Sequence, residues 1–269
     1  METLSAHPFA GDKEGVPWRD QAGKFYTLQS EAGRRSDIVR IIPEDDFSDT
    51  KKYFYSKGDI SSNEKTPLEY IENMVKIAKN IFQELEEKYG VHVDAHYVIA
   101  KEEDKTVVLG LAERVCTESS KSTLEKKELS QTIRGLACYY RDVLSSFDEK
   151  TSQTKPFFWD ITRREQYVFG STQSDASSKL RLVDVDPHWI SNDIENSDGR
   201  DLNRALRFLF FNLLRSYNEI DEADESFFEM KKVMLDLCKK WRYASQVKGS
   251  NDGIDSSREI EEWLENFNR

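Results

Sequence analysis

The sequence predicts an α+β protein in two lobes: an N-terminal antiparallel sheet with one packed helix, then a mainly helical C-terminal lobe. Three observations carry this expectation. Leu68, Ile71, Val75, Ala78, Phe82 and Leu85 recur at helical spacing behind Thr66-Pro67-Leu68-Glu69. That opening is a capping box with Pro at the first helical position, where its missing N–H costs nothing. Beyond Gly90, which stops the helix, Val91, Val93, Ala95 and Tyr97 alternate as in a strand with one buried face. Only 12 Gly and 6 Pro punctuate the 269 residues, which favours long helices over a many-stranded sandwich or barrel.

Taken in order, residues 1–24 show no period, hold two of the six prolines, and read as an irregular arm. The N-lobe is expected over 25–115. KFYTLQ, DIVRII (stopped by Pro43) and KKYFYSK read as short strands, then comes the 67–89 helix. VHVDAHYVIA (91–100) and TVVLGLAERV (106–115), joined by KEEDK, read as an antiparallel hairpin. Residues 116–127 are polar and read as a hinge, and residues 128–269 as the helical C-lobe.

Within the second half, residues 123–147 carry Leu129, Ile133, Leu136, Tyr140, Val143 and Phe147 on one face. QYVFGS (166–171) and LRLVDVD (180–186) read as two short strands around a polar turn. Residues 201–217 are nearly apolar all round, so that helix is expected to be deeply buried. Residues 226–243 open on the capping box Ser226-x-x-Glu229, and residues 256–268 bring Ile260, Trp263, Leu264 and Phe267 to one side.

Charge and cysteine usage narrow the class. With 39 Lys+Arg against 50 Asp+Glu the net charge is -11, which disfavours nonspecific binding to nucleic acid or to an anionic membrane. No apolar run approaches a membrane span, and the N-terminus lacks a signal-peptide pattern. Cys116, Cys138 and Cys238 form no CxxC pair and read as reduced thiols, so a cytoplasmic location is expected.

The segment richest in chemistry is Leu182-Val183-Asp184-Val185-Asp186-Pro187. Two acids two residues apart at a strand end point to the same side and can clasp one hard cation, or else simply face water. Asp160, in PFFWDITRREQYVFG, lies just before the strand expected to pair with LRLVDVD. An acid there beside acids at the partner strand's end suits phosphoryl transfer, one carboxylate orienting a hydroxyl while the others hold Mg²⁺. Capping, or pairing with Arg163 or Arg164, is the plainer role for Asp160.

The order of strands, helix, hairpin, hinge, long helix, loop Asp and Asp-ended strand pair resembles the protein-kinase-like fold. The resemblance is to its smaller form, that of aminoglycoside and choline phosphotransferases, and covers roughly residues 25–220. It implies ATP and Mg²⁺ as cofactors and a small-molecule or protein acceptor. Asp160 then occupies the catalytic-loop position, with Phe158-Trp159 where the family has His-Arg. Asp184 occupies the metal-binding position of Asp-Phe-Gly, with Val185 and Asp186 following. Glu165 stands where the family has a metal-binding Asn, and Asp186 and Glu165 join Asp184 as candidate metal ligands. Arg40, or Lys57 in a different register, stands for the phosphate-binding lysine, and Glu72 for its ion-pair partner. The backbone from Glu113 through Val115 to Thr117 would meet the adenine. No glycine-rich loop precedes DIVRII, and no Ala-Pro-Glu follows Asp186.

Two other classes stay open. One is a kinase-like pseudoenzyme that keeps the scaffold as a binding module. The other is an unrelated α+β interaction protein that meets a partner through exposed aromatics near Trp241 and Trp263. His92 and His96, four apart on one strand, share a face, and core-edge packing accounts for them as well as metal binding does.

Overall fold

The computed structural model describes residues 3–5, 17–20, 25–30, 38–43, 53–61, 68–102, 105–113, 115–117, 123–172, 174–185, 190–218 and 226–266. It is a mixed α+β protein whose chain divides into two compact units. Residues 1–80, 93–118 and 168–188 form the first, and residues 81–92, 119–167 and 189–269 the second. Among the described residues no helix is long and apolar enough to cross a membrane.

The first unit holds a closed barrel. Its strands are β1 (Thr3–Ser5), β2 (Pro17–Asp20), β3 (Phe25–Ser30), β4 (Ile38–Pro43), β5 (Tyr53–Ser61), β7 (His96–Glu102) and β8 (Lys105–Glu113). They run in the order β1-β2-β3-β4-β5-β8-β7, closed by parallel pairing of β1 with β7. The expected hairpin is thus β7–β8, and it shares a sheet with β3 and β4. The barrel corrects the expectation against one drawn from glycine and proline counts. Links such as Glu31–Asp37 and Glu44–Lys52 are rich in acids, Ser and Arg or Lys rather than Gly and Pro. Residues 1–24, read as an irregular arm, contribute β1 and β2, runs of 3 and 4 residues too short to show alternation.

A second sheet pairs β6 (His92–Val93), β12 (Lys179–Leu182), β11 (Tyr167–Ser171) and β9 (Cys116–Thr117) in that order. Arg181 on β12 is almost fully buried and anchors the β11–β12 turn. It donates to Gly170 O, Ser177 O, and the carboxylates of Asp94 and Asp175. Four acceptors satisfy a planar guanidinium that burial would otherwise penalise.

α1 (Leu68–Tyr89) ends at Gly90, where φ is 68° and Val91 N–H returns to Leu85 O. Of the stripe that the spacing predicts, Ile71, Val75, Ala78, Phe82 and Leu85 are buried and Leu68 is half-buried. In the second unit α2 (Thr123–Ser145) buries Leu129, Ile133, Leu136, Tyr140 and Val143. It begins inside the polar stretch read as a hinge, because Thr123-Leu124-Glu125 already starts a helix. α2 packs on α5 (Ser226–Lys248), and α5 on α6 (Asn251–Asn266). Met230, Met234, Leu237, Trp241, Ile260 and Leu264 fill their seams, each worth about 1.5–3 kcal/mol of burial.

Three local differences follow from packing. Trp241 is fully buried rather than exposed, its Nε1–H donating to Asn203 Oδ1 at 2.7 Å. The 201–217 helix is α3 (Leu202–Phe208), a π-helical stretch Leu209–Leu214, and α4 (Arg215–Asn218). The π turns change the helical phase and leave Phe211 47% exposed. β10 (Gln153–Phe158), interrupted by Pro156, pairs with β13 (Ile190–Asp193) and has no alternation to announce it.

Candidate functional site

The loop that follows β10 is built from its backbone outward. Tyr140 of α2 donates its hydroxyl to Phe158 O at 2.5 Å, and Thr162 Oγ1 donates to Ala205 O at 2.7 Å. Just past the second anchor Arg163 N–H closes a turn on Asp160 O. Asp160 is fully buried, and its Oδ2 accepts from Gln166 Nε2 at 2.7 Å. A carboxylate in such surroundings needs donors, since burial without them costs several kcal/mol.

Gln166 was not singled out from the sequence. Counting five residues beyond Asp160 reaches Glu165, but residues Arg164–Gln166 form a 3-10 turn that turns the sixth side chain inward. Glu165 faces outward and is engaged by Arg163. Gln166 itself is buried, and its Oε1 has no hydrogen-bond partner among the described residues. The chain signal was Gln166 directly ahead of the apolar strand that Tyr167 begins.

Tyr140 and Tyr167 surround this loop as neutral phenols. Burial pushes Tyr167 well above the ordinary tyrosine range, and the Asp160 charge adds to it against the opposing pull of Arg164. Tyr140 is raised by burial first, then by Tyr139, Tyr167 and Asp160. Arg164 itself is fixed by Glu125 at 2.9 Å and by Tyr167 O.

The remaining candidates are distributed as follows. Asp184 is half-buried just beyond β12, and Tyr97 donates to the next carbonyl, Val185 O, at 2.8 Å. Asp186 and His188 lie outside the described residues. Arg40 pairs by register with Phe54 and Gln29, and Lys57 with Leu109. Glu72 is exposed on α1 and makes no ion pair among the described residues. Glu113 ends β8 opposite Tyr53, and Val115 is half-buried before β9. The adenine-facing segment expected there carries β9, whose Cys116 and Thr117 pair with Ser171 and Gly170. A Cβ at Gly170 would strike Cys116 O, so this close pairing requires glycine.

His92 faces Glu128 at 3.8 Å, and among the described residues no three His, Cys, Asp or Glu side chains gather as a metal site. Cys116 is exposed, Cys138 half-buried and Cys238 buried, all three as free thiols. Burial pushes the Cys238 thiol up to about 12, which leaves it unreactive at neutral pH. No protein-family model matches the chain, and no curated protein matches it by sequence.

Proposed function

We propose that the chain is a kinase-like phosphotransferase that uses ATP and Mg²⁺, with Asp160 as the acid that orients the acceptor hydroxyl. The observation that carries this reading is Gln166. Its carboxamide nitrogen holds Asp160, while its oxygen is buried with no partner among the described residues. A buried, unsatisfied amide oxygen is uncommon, and it is the hard donor that Mg²⁺ accepts. Gln166 would offer this oxygen to the metal, which when bound neutralises phosphate charge; Asp184, Asp186 and Glu165 are the ligands that the resemblance implies. The chain's own contribution is orientation: Tyr140 and Thr162 fix the loop at both ends, so Asp160 is held in one position. Arg40 or Lys57 would contact phosphate, with Glu72 as the ion-pair partner.

A second reading, a binding module on the same scaffold, is favoured by the complete burial of Asp160. A carboxylate closed to solvent orients an acceptor only if its loop opens when ligand binds.

The two readings separate in a thermal-shift titration with ATP, with and without Mg²⁺, followed by detection of γ-phosphate transfer to added alcohols. Nucleotide at 100 times its Kd adds roughly 2.7 kcal/mol of stability. A Mg²⁺-dependent rise that Asp184→Asn removes, together with phosphate transfer, is the outcome expected of the phosphotransferase. A rise without transfer, or no rise with or without Mg²⁺, removes the phosphotransferase and leaves the binding module.

A further inference from the structure

Beside the Asp160 loop, α3 and the turn before it line an open cavity of about 560 Å³. Its wall carries Arg204, whose guanidinium carbon lies 4.9 Å from the Trp159 ring centre and 5.5 Å from that of Phe208. Trp159 is almost fully buried and tilts against Phe208 at 6.2 Å, so the guanidinium rests on a fixed aromatic floor. One of its nitrogens, Nη1, donates to Gly199 O at 3.2 Å, and no carboxylate lies within salt-bridge distance of Arg204 among the described residues. Stacking pre-orders the cation, and the nearby Asp201 carboxylate attracts it without pairing with it, which leaves its remaining N–H groups available.

The acids around the cavity have other engagements, with one exception. Asp201 accepts the backbone N–H groups of Arg204 and Asn196, and Asp252 pairs with Arg207 at 2.7 Å. Glu195 is exposed at the rim and opposes an incoming anion. Phe211, turned outward by the π-helical stretch, supplies an apolar wall.

We propose that this cavity binds a ligand with an anionic group, carboxylate or phosphate, attached to an aromatic or apolar body. Arg204 takes the anion and Phe211 the body. Identifying that ligand as the phosphoryl acceptor rests on the phosphotransferase reading, because Trp159 adjoins Asp160 in the chain. The binding site itself needs no such reading.

Trp159 beneath Arg204 makes the test direct. The full chain is titrated with phenyl phosphate, inorganic phosphate and benzamidine while tryptophan fluorescence is followed. A saturable change with phenyl phosphate is expected, with inorganic phosphate weaker and benzamidine weakest. Trp159→Phe should remove the signal. Arg204→Gln should weaken binding roughly tenfold or more, Arg204→Lys should recover only part of it, and Glu195→Gln should tighten it. Arg204 is exposed, so these variants keep the fold, which circular dichroism checks. An absence of saturable change, tighter binding of benzamidine, or unchanged affinity in Arg204→Gln would overturn the proposal. The titration uses no nucleotide, so its failure is separate from a failure of the ATP experiment.

Discussion

Gln166 donates to Asp160 across 2.7 Å inside a loop where both side chains are buried. The pair turns a carboxylate that water cannot reach into one with a protein donor. It also ties the chain after β10 to the turn that begins β11.

The strength of that tie is measurable by substitution. Gln166→Leu removes a donor from a buried carboxylate and should lower stability by about 2 kcal/mol, the range for hydrogen bonds to charged groups. Gln166→Glu sets a second carboxyl group against the first, so one must take up a proton or both repel. Urea midpoints should therefore fall for both variants, and for Gln166→Glu the fall should deepen as pH rises. Equal midpoints for Gln166→Leu and wild type would show that Asp160 is satisfied without the amide.

Tyr140→Phe tests the other anchor. It deletes the hydroxyl donated to Phe158 O while keeping the ring, which stacks edge-on to Tyr139 and Phe157. The loss should be about 1–2 kcal/mol, read as a lower denaturant midpoint at unchanged slope.

The parts legible in the sequence were those whose signal is local. The α1 stripe from Ile71 to Leu85 needs only a 3.6-residue period, and every position in it is buried. The β7–β8 hairpin needed only alternation and a charged turn. What escaped depends on partners far along the chain. Trp241 looks like any amphipathic aromatic until Asn203, 38 residues away, satisfies its N–H. The barrel closes through β1 and β7, a parallel pairing that no local pattern announces. Gln166 was missed for a different reason, since a single-residue offset in a 3-10 turn exchanges which side chain faces inward. Arg204 carries no motif at all, and its place over the Trp159 ring depends on a residue far back in the chain.

Asp175 should make stability depend on acid. The Lys179 ammonium, Ser177 and the Arg181 guanidinium bond to its carboxylate and hold it well below the usual carboxylate range. The unfolded chain then binds a proton at higher pH than the native one. The contribution is present above the unfolded value of about 4 and is lost as pH falls below it. The stability difference between wild type and Asp175→Asn should be largest near neutrality and shrink on acidification. Because the group faces solvent, added salt should shrink it too. A difference that grows as pH falls would reverse the assignment.

Gly253 sits in the first turn of α6, which starts at Asn251 ahead of the expected residue 256. Ser250 opens the helix, its Oγ accepting from Gly253 N–H at 3.2 Å and from Asn203 Nδ2 at 2.9 Å. A Cβ at 253 would collide with Ser245 Oγ and lie 2.6 Å from Asn203 Oδ1, the oxygen that receives Trp241. Two effects therefore oppose each other in Gly253→Ala. Helix propensity favours alanine by about 1 kcal/mol, while crowding a packed seam costs about 1–3 kcal/mol and disturbs the Asn203 bonds as well. Crowding should win, giving a net loss of about 1–2 kcal/mol. Ser245→Ala removes the nearest obstruction while keeping the Cβ that lies 2.9 Å away, so Gly253→Ala should be less harmful in that background than in wild type. Independent, additive effects of the two substitutions in a double-mutant cycle would show that α6 does not approach α5 as closely as the fold requires.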